Sequence, residues 1–105
     1  MVSPGEARRL ALALPDAVEQ DHHGFPSFRV TGRIFATLPD EATLRVMLDE
    51  DGIRTAIHDA PDACSEQWWG KKLAAVAVDL AAADERLVAR LLEEAHERRA
   101  ASPRR

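Results

Sequence analysis

Two histidines stand side by side at His22 and His23, directly after an acid, Asp21. Imidazoles bind metals and move protons near neutral pH, so the pair is the first place to look for chemistry, with Asp21 able to orient one ring. Metal binding asks for more. Adjacent residues on a strand point to opposite faces, and no third ligand follows at a recognised spacing. The single cysteine, Cys64, lacks a partner thiol and reads as a small buried apolar residue. His96-Glu97 opens like a zinc-protease helix, but Ala100 stands where the second histidine is needed. Asp49-Glu50-Asp51-Gly52 resembles the start of a calcium loop, yet its twelfth position falls on Ala60, where a bidentate glutamate is required. The glycines are scattered, so no phosphate-cradling loop is present. The expectation is a non-enzymatic binding module with no catalytic residue, no metal and no cofactor.

Two groups of residues suit binding. Arg29, Arg33 and Arg45 fall opposite the aliphatic positions of their strands, and Lys71 and Lys72 follow Trp69. If one sheet face is open, these cations can gather there and hold phosphates or an acidic partner. The plainer alternative is an ordinary polar sheet face balanced by carboxylates. The second group is His22, His23, Phe25, Pro26, Phe28 and Trp69, a set that suits a protein or small-ligand contact. Its alternative is core and turn packing for the phenylalanines. Trp68 and Trp69 are neighbours, so one can pack inward while the other is exposed.

Charge constrains these readings. The net charge is −4, which opposes broad, sequence-independent binding of nucleic acid. A basic patch is still compatible with it. Arg98, Arg99, Arg104 and Arg105 form a basic end, expected to be a solvated helix terminus complementing its own dipole, with residues 100–105 as a frayed tail.

The elements that must position these residues are legible from periodicity. Ser3, Pro4 and Glu6 make a capping box opening a first helix, whose stripe is Ala7, Leu10, Ala11 and Leu14 and which Pro15 ends. Strands are expected at 18–22, 27–30, 33–38 and 43–48. In the third, Ile34, Ala36 and Leu38 face one way and Arg33, Phe35 and Thr37 the other. Connections this short make an antiparallel meander. A short helix follows at 49–59, then an irregular stretch over 60–66. Next comes a strand at 73–80, expected to be central and covered on both faces. Asp84 caps a final helix with Leu87, Val88, Leu91, Leu92 and Ala95 on its buried side.

The order is helix, meander, helix, one or two strands, helix. That grouping implies an α+β fold: one domain over 1–105, with a mostly antiparallel sheet flanked by helices. Hydrophobic residues make up 46%, enough for a packed core. With one cysteine, no intrachain disulfide can form. No apolar run reaches the ~20 residues of a membrane span, and the N-terminus lacks signal-peptide character, so no membrane partner and a cytoplasmic address are expected. Oligomeric state is not encoded in any feature of the sequence.

Several phrases then line up. Leu12-Ala13-Leu14-Pro15 ends the first helix. His23-Gly24-Phe25-Pro26-Ser27-Phe28-Arg29-Val30 and Arg33-Ile34-Phe35-Ala36-Thr37-Leu38 form the hairpin. Trp69-Gly70, Val78-Asp79-Leu80 and Leu91-Leu92-Glu93-Glu94-Ala95 follow. In this order they resemble the MmcQ/YjbR family of small bacterial proteins over nearly the whole chain, most specifically from His23 to Leu38. The resemblance implies a compact α+β domain. It also implies a DNA-binding label, which members carry through likeness to a double-wing domain of a phage transcription factor. It brings no catalytic residues. His96 departs from the pattern, standing where a tryptophan is frequent.

Overall fold

The computed structural model describes residues 1–101. Arg104 and Arg105, and most of the expected tail, lie outside the described residues. Helix α1 spans Pro4–Leu12 and opens on the expected box: Ser3 Oγ accepts from the Glu6 amide at 3.0 Å, and the Glu6 carboxylate accepts from the Ser3 amide at 2.8 Å. Strands β1 (Val18–His22), β2 (Phe25–Val30), β3 (Arg33–Thr37) and β4 (Thr43–Val46) form the meander. His23-Gly24 and Thr31-Gly32 connect the first three, with positive φ at both residues of each pair. That geometry matches the right-handed twist of a two-residue hairpin. Helix α2 (Glu50–Asp59) starts from an Asp49 cap, and α3 (Glu85–Ala100) from an Asp84 cap.

Two further strands, β5 (Cys64–Trp69) and β6 (Lys72–Asp79), complete one six-stranded antiparallel sheet in the order β1-β2-β3-β4-β6-β5. β5 includes part of the stretch expected to be irregular. Its run Ser65-Glu66-Gln67 carries no apolar alternation because it is an edge strand, with little of its surface to bury. β6 is second from that edge. Val76 and Val78 are fully buried on the helix side, while Ala77, the partner of Arg45, is half-buried on the other face, so the expected cover of both faces is incomplete.

Helix α3 lies against β2, β3 and β4, α2 lies against β5 and β6, and α1 packs on α3. Val88, Leu91, Leu92 and Ala95 of α3 join Phe28, Val46, Val76 and Val78 of the strands in one buried cluster. Each such aliphatic or aromatic side chain contributes about 1.5–3 kcal/mol when fully removed from water.

The facing of β3 differs from the simple alternation. Phe28 pairs with Ala36, while Arg29 pairs with Ile34, so Phe35 is an extra residue in the ladder. This bulge lets Phe35 turn toward the helices beside Ala36. There it is fully buried, with its ring edge-on to His96 of α3 at 5.5 Å. Ile34, expected among the core aliphatics, is displaced to the uncovered face together with Thr37.

Candidate functional site

The uncovered face carries a second set of buried residues, distinct from the main cluster. Ser27, Thr37, Met47 and Ala75 are buried there without belonging to the helix-side core. Around them lies a pocket of about 640 Å³ lined by His22, His23, Phe25, Arg29, Gly32, Arg33, Ile34, Thr37, Arg45, Met47, Trp69 and Arg99. That volume falls within the range of small-ligand sites, about 300–1,000 Å³.

Register explains the convergence. Ser27, Thr37 and Arg45 are successive partners across β2, β3 and β4, so their side chains share one face. Arg29 lies two residues beyond Ser27 on that face and donates from Nε to Ser27 Oγ at 3.2 Å. Arg99 arrives from the last turn of α3 and donates from Nε to the Ile34 carbonyl at 3.0 Å. Burial pulls its guanidinium below the ordinary arginine range, and repulsion from Arg98 and Arg33 adds to this. Arginine still keeps its charge at any physiological pH.

Pairing separates these arginines from others in the molecule. Arg8 meets Glu19, Arg9 meets Glu85, Arg54 meets Glu50 and Glu66, and Arg90 meets Asp59. Among the described residues, none of Arg29, Arg33, Arg45 and Arg99 has a carboxylate partner, and no Asp or Glu lines the pocket. Two polar atoms there are also unmatched. Thr37 Oγ1 and Arg45 Nε are buried with no hydrogen-bond partner. Thr37 as a whole is only 3% exposed.

A family model described as YjbR matches residues 12–98. The chain belongs to the YjbR family. No curated protein and no solved structure matches it significantly. The YjbR match spans every strand that lines the pocket and leaves out most of α1 and the last two residues of α3, Arg99 among them.

The pocket unites residues from both groups singled out in the sequence. Arg29, Arg33 and Arg45 share it with His22, His23, Phe25 and Trp69. Others do not take part. Lys71 and Lys72 border a neighbouring hollow with Trp68, where Asp49 and Glu50 also stand. Phe28 is fully buried on the helix side, and Pro26 lines neither hollow, so neither joins the contact surface. Asp21 accepts from the Gly24 amide at 3.3 Å and closes the β1–β2 turn; no bond to an imidazole accompanies it. His22 and His23 rings lie 4.4 Å apart, and His22 meets Phe25 edge-on at 5.6 Å. No group of three or more His, Cys, Asp or Glu able to hold a metal occurs among the described residues. Cys64 is buried, and that burial pushes its thiol up.

Sequence reasoning missed Gly32, Ile34, Thr37 and Met47 among the pocket residues, and one pocket cation, Arg99. It was expected in a solvated helix end, but it is half-buried and bonded to β3. Arg98 likewise donates to the Met47 carbonyl at 3.1 Å. Carbonyl acceptors carry no sequence signal, so only the docking of α3 across the sheet identifies this use.

Proposed function

We propose that this YjbR-family chain is a non-catalytic binding module that holds the phosphates of single-stranded nucleic acid in the arginine pocket of its open sheet face. The carrying observation is the concentration of Arg29, Arg33, Arg45 and Arg99 in one pocket that no carboxylate lines, within a chain of net charge −4. Guanidinium groups suit phosphate through paired N–H donors, and flanking aromatics suit unstacked bases. No helix among the described residues is long and apolar enough to cross a membrane. A cytoplasmic setting is part of the proposal.

The test is fluorescence anisotropy with a labelled oligothymidylate across a salt series. Up to four phosphate contacts predict a log–log salt slope of about −2 to −3 for a single strand. Arg45→Glu should abolish binding while the fold is retained by circular dichroism. Binding that ignores both salt and Arg45→Glu would overturn the proposal.

A second reading, a small anionic ligand, is favoured by one observation: Arg29, Arg33, Arg45 and Arg99 line one pocket without a carboxylate, whereas the adjoining hollow of Lys71 and Lys72 also holds Asp49 and Glu50. Phe28 is fully buried, so a protein contact in this region would rest on Phe25 and Trp69.

A further inference from the structure

We infer that the pocket seats one phosphorylated nucleoside unit, with its phosphate over Thr37 and Arg45 and its base against Trp69. This rests on the phosphate-binding reading above and specifies what occupies the site.

The pocket is chemically divided. Thr37 and Arg45 are partners across β3 and β4, and both present a buried, unmatched polar atom. A guanidinium Nε–H can only donate, and a hydroxyl can donate as well. An oxygen-rich anion answers both at once, because each of its oxygens accepts. Arg29, Arg33 and Arg99 line the same pocket, so the charge to be matched exceeds that of a single carboxylate. A phosphate dianion fits better.

The remaining lining is Gly32, the imidazoles of His22 and His23, and the apolar or aromatic side chains of Phe25, Ile34, Met47 and Trp69. Those last four give an inorganic ion nothing to bind, but they suit a flat ring. His22 and Phe25 already meet each other edge-on. Trp69 is 51% exposed and makes no ring contact among the described residues, so its indole face is available for stacking. One open pocket of this volume holds one such unit, whether a free mononucleotide or the terminal nucleotide of a strand.

The experiment uses the full chain carrying Trp68→Phe, which leaves Trp69 as the sole indole reporter. Adenosine 5′-monophosphate, adenosine, ribose 5-phosphate and a 5′-phosphorylated oligothymidylate are each titrated, followed by fluorescence and calorimetry. The expected result is saturable quenching by the mononucleotide at one-to-one stoichiometry, no binding of adenosine, and weaker, non-quenching binding of ribose 5-phosphate. Thr37→Val and Arg45→Ala should each weaken mononucleotide binding about tenfold or more. Trp69→Ala should bring its affinity down to that of ribose 5-phosphate.

Equal affinity for the mononucleotide and the sugar phosphate, without quenching, overturns the base seat. So does a strand that binds in a salt-dependent manner while no mononucleotide binds; that result leaves the nucleic-acid reading standing. Conversely, a mononucleotide that binds where the strand does not upholds the seat and removes the nucleic-acid reading. Binding by none of the ligands removes both.

Discussion

Thr37 and Arg45 stand opposite each other across β3 and β4, and each buries a polar atom that no described residue satisfies. A buried hydroxyl without a partner destabilises a fold by about 1–3 kcal/mol. Thr37→Val replaces it with a methyl group of similar shape. The ligand-free protein should therefore gain about 1 kcal/mol in urea denaturation, while phosphate-ligand affinity falls. A loss of stability would mean that the hydroxyl has a structural partner.

The bulge at Phe35 makes an ordered prediction. Phe35 is fully buried against α3, whereas Ile34 is half-buried on the pocket side. Phe35→Ala should cost about 3–5 kcal/mol, while Ile34→Ala should cost roughly 1 kcal/mol. Regular alternation along β3 would reverse that ranking, so denaturation midpoints of the two variants decide the facing.

Arg99 ties α3 to β3 through the Ile34 carbonyl. Arg99→Ala should destabilise the protein by about 1 kcal/mol, since one partly exposed bond from a charged donor is lost. It should also weaken anion binding, because a pocket cation goes with it. Arg99→Lys keeps the charge but loses the Nε geometry, so it should recover more of the salt dependence than of the stability. Paired denaturation and binding measurements separate the two roles.

The capping box gives a pH dependence with a definite sign. Glu6 has its carboxyl lowered, first by the backbone hydrogen bond from Ser3, then by the Ser3 hydroxyl. A depressed folded value means that the stabilisation is present above the unfolded value of about 4.3. It is lost as pH falls through the lower folded value. Glu6→Ala should therefore be less stable than the parent at pH 7, and the two should converge as pH approaches 2. A gap that persists unchanged in acid would assign the effect to helix propensity alone.

Much of the fold was legible because its elements obey local rules. The capping box, the Thr31-Gly32 turn and the α3 stripe are each written in local residues, whereas the His23-Gly24 turn was not read and β2 begins at Phe25, two residues before its expected start. The features that escaped are those set by tertiary partners. β5 lacked a pattern because an edge strand buries little. The bulge at Phe35 left no local mark, since Ile34 and Phe35 are both apolar and either could have faced the core. For the site, the shared face of Arg29 and Arg45 followed from strand parity, whereas Arg33, paired with the core residue Val30 beyond the bulge, reaches the pocket from the end of β3 against that parity. The departure of Lys71 and Lys72 to a neighbouring hollow, and the arrival of Arg99 from the far end of the sequence, depended on how β5, β6 and α3 dock.

Because the helices occupy one side of the sheet only, the load of folding and the choice of ligand fall on different side chains of the same strands. Phe28, Ala36 and Val46 answer to the core, while Arg29, Thr37 and Arg45, their immediate neighbours, line the pocket. Substitutions at the second set can retune specificity without repacking the first. One scaffold can thus diversify its ligands residue by residue, with each step remaining foldable.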